Sequence, residues 1–156
     1  MEDSLLEEER YQFKYFDSES AFYIGSKAVE LSKQYGLSIC IQIYAYGKTL
    51  FHYANDNCSK NNEDWLMKKK NSVMYFQHST KHLNEKNKND ASVLYTKYGL
   101  NLDKYCITQG GFPIYVKGCG LVGAICISGM QPNEDHDFLI TLLEWYLMGK
   151  ECKIMF

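Results

Sequence analysis

The sequence predicts an α+β fold in a single domain, an antiparallel sheet with helices packed on its faces. Two separate stretches, residues 37–54 and 112–128, each read as a β-hairpin, and the segments around them carry helical spacing. Two hairpins separated by helices cannot build an all-parallel sheet, which leaves the α+β arrangement. The chain's 156 residues, 46% of them apolar and 23% charged, have the means for one core. A domain of that size buries roughly 70% of its unfolded surface. No internal repeat, low-complexity tract or linker divides it.

Residues 4–16 place Leu5, Leu6, Glu9, Phe13 and Phe16 at the spacings of a helix, so residues 1–16 are expected to form an N-terminal helical extension. Asp17, Ser18 and Ser20 offer N-caps to a second helix, Ala21 to Tyr35. Its buried side is expected at Phe22, Ala28, Val29 and Leu31, and Gly36 sits where a left-handed C-cap belongs. Leu37, Ile39, Ile41, Ile43 and Ala45 then alternate with Ser38, Cys40, Gln42 and Tyr44, the period of a strand with one core face and one semi-polar face. Tyr46-Gly47-Lys48 turns the chain into a returning strand, Thr49–Ala54. After a polar loop, a helix from Glu63 sets Trp65, Lys69, Ser72 and Phe76 on one face and fades near Ser79-Thr80. Residues 81–92 read as a loop or ragged helix, and Val93–Gly99 as a short helix.

The rest of the chain is arranged around Gln109 to His136. Phe112–Val116 and Leu121–Ser128 flank Lys117-Gly118-Cys119-Gly120, whose glycines supply the positive φ angles of a tight hairpin. Leu121, Gly123, Ile125 and Ile127 point one way; Val122, Ala124, Cys126 and Ser128 point the other. Both sets are mostly apolar, so this hairpin is expected in the middle of the sheet, covered on each side. Asn133 is the expected N-cap of a last helix, with acids at the positive end of its dipole. Phe138, Leu139, Leu142, Leu143, Tyr146 and Leu147 form its apolar stripe. A strand end, a glycine break and a helix start make a place for a small ligand, although these acids would repel phosphate.

Composition excludes more than it assigns. A net charge of −2 gives no electrostatic case for nucleic acid. No apolar run reaches the ~20 residues that cross a bilayer, and the acidic start is unlike a secretory leader. The six cysteines show no CxxC pair and read as reduced thiols, with structural zinc the alternative, so the expected location is cytoplasmic. Thirteen tyrosines fit subunit interfaces or a semi-polar pocket, and fit codon bias equally well.

The residues that could carry chemistry are few, and each has a plainer explanation. His78 and His82 form an HxxxH that can hold a metal on one helix face, but HExxH and a third ligand are absent. His52 lies mid-strand, where a packed histidine is the default and a haem-ligand or acid–base role the alternative. Asp135-His136 starts a helix beside a strand end, where clefts open and where local hydrogen bonds also explain the pair. Trp65 with Lys69 could frame a pocket, the amine meeting a carboxylate and the indole stacking on a flat ring, or simply pack on the sheet. Gln109-Gly110-Gly111 offers backbone amides to a ligand, or forms a plain loop. Nucleophile elbow, P-loop, Rossmann fingerprint and paired catalytic carboxylates are all missing, so no catalytic residue and no metal site is assigned.

GGFPIYVKGCGLVGAICISG, followed by Asp135-His136, resembles the glycine-rich FPI…VG…SG signature of the haem-degrading-domain family, GlcG-like and HbpS-like proteins among them. LLEEERYQFKYFDSESA, FHYA and DWLMKKKNSVMYFQHST are similar to a small bacterial and fungal branch of it. The likeness runs from about Leu5 to Leu147. Phe112 follows the glycine pair directly where that branch often has a Ser between, and residues 81–92 match nothing in the pattern. The resemblance implies a profilin-like α+β fold, symmetric homo-oligomers of dimers or more, and in some relatives a bound haem or corrinoid. No relative's haem ligand maps onto a residue here. The resulting expectation is a cytoplasmic homo-oligomer binding a small planar or anionic molecule, haem-like, near Trp65, Lys69, Gly110, Gly111, Asp135 and His136. In it Lys69 pairs an anionic group, Trp65 stacks, the 110–111 amides donate, and His136 ligates or hydrogen-bonds. The rival expectation is an oligomeric interaction protein with no small-molecule chemistry.

Overall fold

The computed structural model describes residues 2–156. In chain order the elements are α1 (Glu2–Arg10), α2 (Ser18–Tyr35), β1 (Cys40–Ala45), β2 (Lys48–Ala54), α3 (Lys60–Phe76), α4 (Thr80–Lys86), α5 (Ser92–Tyr98), β3 (Gly111–Val116), β4 (Gly120–Ser128) and α6 (Pro132–Met148). The four strands form one antiparallel sheet in the order β2-β1-β4-β3. This is the expected α+β class. Among the described residues no helix is long and apolar enough to cross a membrane.

The alternation in β1 and β4 decides which helices cover which face. Ile39, Ile41, Ile43, Ile125 and Ile127 meet Ala21, Ile24, Ala28 and Leu31 of α2 and Phe138, Leu139, Leu142 and Leu143 of α6 in the main core. The opposite set, Cys40, Ala124 and Cys126, lies under Leu66 and Val73 of α3. Small side chains on that face let α3 sit close to the sheet. Full burial of a side chain such as Phe138 or Leu142 stabilises by roughly 1.5–3 kcal/mol, and the two-sided cover explains why β4 is apolar on both faces.

Only half of the second hairpin is central. β4 is an interior strand, whereas β3 stands at the end of the sheet order. Pro113 is the local sign of this, because a residue without an N–H is confined to edge strands, strand starts and bulges. The β3 edge is nevertheless covered. Phe13 N–H donates to the Tyr115 carbonyl and Lys117 N–H to the Phe13 carbonyl, both at 2.8 Å, as a short parallel bridge. The helix expected through Phe16 therefore ends at Arg10, and residues 11–16 run on as a strap along the sheet edge.

Other boundaries shift for local reasons. Phe22, expected on the buried side of α2, is 57% exposed, and Ile24 takes the core position. Trp65 is only half-buried, and Leu66 with Lys69, Ser72 and Val73 makes the sheet-facing side of α3. Ser79 caps α4 by accepting the His82 N–H at 3.1 Å, turning the expected loop into a helix that buries Thr80, His82 and Leu83. Asn133 lies inside α6, because Pro132 occupies the first turn and the Glu134 carboxylate accepts the Gln131 N–H at 3.1 Å. The first hairpin turns through Tyr46 and Gly47 at φ 56° and 79°, the double left-handed pattern of a type I′ turn. The Tyr46 hydroxyl then donates to the Phe16 carbonyl at 2.6 Å, fastening the turn to the strap.

Candidate functional site

Three of the residues singled out from sequence meet at the exit of β4. Lys69 projects from α3 into the sheet layer, and its ammonium donates to the Ile127 carbonyl at 2.7 Å and to Asp135 Oδ2 at 3.2 Å. Both side chains are buried, at 2% and 3% exposure. Asp135, in the first turn of α6, also accepts the Met130 N–H on Oδ1 at 3.1 Å. The pair thus ties α3, the end of β4 and the start of α6 into one knot. Burial pushes the Asp135 carboxyl up to about 6, against the opposing pull of the Lys69 ammonium and the Met130 amide. Lys69 is accordingly committed inside the protein, to Asp135, rather than held ready for a ligand anion as the sequence led one to expect.

The two glycines lie behind this knot. A Cβ at Gly110 would stand 2.6 Å from Lys69 Nζ and 2.5 Å from the Ile127 carbonyl oxygen, at a φ of +123°. Only glycine lets the ammonium reach its partners there. Gly111 N–H donates to Thr80 Oγ1 at 2.9 Å, so that amide is engaged within the protein.

In front of the knot is an open hollow of about 300 Å³. Asn61, Asn62, Trp65 and Lys69 of α3 line one side, and Ser128, Gly129 and Met130 the other, with Thr108, Pro132 and Asp135 closing it. A second hollow of about 300 Å³, lined by Asn84, Asn89 and Gln109, shares Thr108 and Pro132 with the first. The Lys68 ammonium lies 4.4 Å from the centre of the Trp65 ring. The lining is thus an indole, amides and hydroxyls around a neutralised ion pair.

His136 is elsewhere. Its ring is 1% exposed, with Nε2 at 3.0 Å from Glu7 Oε1 and the Phe112 ring 6.3 Å away. The other two α1 contacts follow the same habit: Glu8 Oε1 reaches His78 Nδ1 at 2.8 Å, and Ser4 Oγ reaches His82 Nδ1 at 3.2 Å. Three of the four histidines are therefore engaged by one side of α1, residues 4, 7 and 8. Burial raises the Glu7 carboxyl, but His136, Lys81 and Arg10 together outweigh it and hold it below its ordinary value. Burial pushes Glu8 up despite the hydrogen bonds from His78 and Ser79.

The HxxxH does not share a helix face, because His78 precedes the Ser79 cap, although the two rings lie 4.6 Å apart. Among the described residues no group of three or more His, Cys, Asp or Glu is arranged to hold a metal ion. His52 stands exposed on β2, 2.8 Å from Glu63. All six cysteines are free; burial pushes Cys126 up to about 12, which keeps that thiol inert.

Thr108, Met130 and the Asn61-Asn62 pair escaped the sequence reading. The Ser128-Gly129 break was the one signal near them, since a strand end beside a helix start is where such hollows open. The α1 contacts had no local signal at all, because His136 and Glu7 are 129 positions apart.

A four-stranded antiparallel sheet with helices on both faces and a polar hollow at a strand exit defines a class of small α+β domain. The chain belongs to the family described as haem degrading protein HbpS-like, whose model matches residues 16–144. It is 32% identical over 143 residues to a UPF0303 protein of Psychromonas ingrahamii, covering 92% of this chain and 90% of the relative. The crystal structure of Ybr137w protein superposes with a TM-score of 0.84 at 21% identity, covering 93% of this chain and 86% of that one. The crystal structure of a PduOC:haem complex gives 0.67 at 15% identity, covering 90% and 99%.

Proposed function

We propose that this protein is a cytoplasmic, homo-oligomeric binder of a planar small molecule of the tetrapyrrole class, held at the Trp65 hollow. The observation that carries the reading is the buried Lys69–Asp135 pair in the wall of that hollow. A buried ion pair is a poor device for stability, since well-packed apolar residues do as well. A desolvated carboxylate with a charge partner beside a hollow is the pattern of a functional site. Membership of the HbpS-like family and the haem complex of a structural neighbour supply the ligand class.

The residues fit a macrocycle better than they fit an iron. Trp65 offers a stacking face, Lys68 rather than Lys69 is placed to meet peripheral carboxylates, and Asp135 with Thr108 forms a polar floor. Gly110 and Gly111 let Lys69 lie flat beneath it, and His136, through Glu7, fixes the start of α6. No imidazole lines the hollow among the described residues, so binding rests on stacking and edge contacts. One edge of the macrocycle enters, because about 300 Å³ lies at the small end of ligand pockets.

Haemin titration followed by the Soret band tests this. The expected result is a shift at micromolar protein, roughly tenfold weaker in Trp65→Ala, the order of a lost stacking contact, and unchanged in His136→Ala. Absence of a shift, or a shift indifferent to Trp65→Ala, contradicts the reading.

A second reading, a protein that works through its surface, is favoured by Phe22 and Tyr23, side by side on α2 and 57% and 55% exposed. In the first reading the same pair forms the seam between copies. Light scattering on Phe22→Glu/Tyr23→Glu is expected to show a fall to the monomer mass; a mass equal to the wild type's removes that seam.

A further inference from the structure

A larger hollow, of about 430 Å³, lies on another part of the molecule, where the strap, the β3–β4 turn and the end of α6 meet. Its floor is apolar and fixed. Phe13, 1% exposed, is held by both backbone hydrogen bonds to β3 and packs on Phe16 at 4.9 Å and Tyr146 at 6.0 Å between ring centres. Leu147 and Met148 extend that surface. Its rim is cationic: Arg10, Lys14 and Lys117 line it, and no carboxylate does.

That charge runs against the chain as a whole, in which acids outnumber Lys and Arg by 19 to 17. None of the three cations forms an ion pair among the described residues. The nearest acid on the same stretch of α6, Glu144, is taken by Lys150 at 3.1 Å. Arg10 lies over the Tyr11 ring, 5.8 Å from its centre, and three cations without an ion pair among the described residues, around a rigid aromatic and aliphatic floor, match a molecule with one anionic head and an apolar body.

We infer that this hollow is a second binding site, for an amphipathic carboxylate whose head meets Lys14, Lys117 and Arg10 and whose body lies on Phe13, Tyr146 and Met148. The inference is independent of the Trp65 hollow, which presents a neutralised ion pair and takes its ligand by stacking.

Calorimetric titration of the full chain with decanoate, decanol and inorganic phosphate decides it. Decanoate is expected to bind, with decanol and phosphate each at least about tenfold weaker, since each lacks one of the two contacts. Lys14→Gln/Lys117→Gln, at exposed positions that leave the core untouched, is expected to weaken decanoate about tenfold or more, and Trp65→Ala to leave it unchanged. Equal binding of decanol, decanoate affinity unaltered in the double variant, or its loss in Trp65→Ala each overturns the inference. So does a change of oligomer mass in the double variant, which would assign the rim to a second copy of the chain. Haemin binding plays no part in these outcomes, so the two sites fail separately.

Discussion

Lys69→Ala is expected to lower the free energy of unfolding by about 3–5 kcal/mol, the cost of leaving one member of a buried pair uncompensated. Three losses coincide in that variant. The Asp135 carboxylate is left in a site 3% exposed without its cation, the Ile127 carbonyl loses its side-chain donor, and the lost end of the Lys69 side chain leaves a void beside Gly110. Urea denaturation measures the sum. Lys69→Met/Asp135→Leu is expected to recover most of it, since an apolar pair of similar volume replaces the charges. A double variant as unstable as the single one would mean that packing, not charge, sets the cost.

The same pair gives a signed dependence on pH. Asp135 titrates near 6 in the folded chain against an ordinary value of 3.8, so between these values the folded state holds more protons than the unfolded one. Stability from this group therefore falls as pH rises through that window and is fully present below it. Glu7, His82 and other groups add slopes of their own, so the quantity to measure is wild type minus Asp135→Asn. That difference is expected to decline from pH 4 to pH 6 and then to level off; a flat difference contradicts a raised carboxyl.

Gly123→Ala is expected to cost about 3 kcal/mol or more, at the upper end for overpacking. An added Cβ would stand 1.9 Å from the Tyr44 carbonyl oxygen and 2.7 Å from the Ala45 Cα. All the atoms in its way belong to β1, the strand paired to β4, so no rotamer change relieves the clash and the two interior strands must part. Gly25→Ala is the control. Its Cβ would meet the Phe51 ring at 2.3 Å, but that ring is half-buried on edge strand β2 and can turn aside, so a cost of about 1 kcal/mol is expected. Thermal melts of the two variants side by side test the contrast.

The sheet was legible because β1 alternates cleanly, β4 is an apolar run bounded by glycines, and the turns carry their own chemistry, Tyr46-Gly47 and the Gly118/Gly120 pair. Pro113 also announced an edge strand, but the apolar run around it spoke more loudly for the centre. Periodicity placed α3 and missed its rotation: Trp65 and Leu66 are adjacent large apolar residues, and only the sheet chooses between them. The site was legible in part. Trp65, Lys69 and Asp135 converge, yet Lys69 is spent on a partner 66 positions away, and His136 is spent on α1. Long-range pairing of charges leaves no trace in local spacing, so a sequence can nominate the ionisable groups of a hollow without saying which of them face it.

The central claim is that the Trp65 hollow receives the face of a tetrapyrrole. The chain has two tryptophans, Trp65 in that hollow and Trp145 on α6, stacked near Lys27. A proton–nitrogen NMR spectrum with the diamagnetic gallium protoporphyrin IX reads their indole N–H signals separately. Ring-current displacement of the Trp65 signal with the Trp145 signal stationary is the predicted result; movement of Trp145 alone, or of neither, would contradict the account.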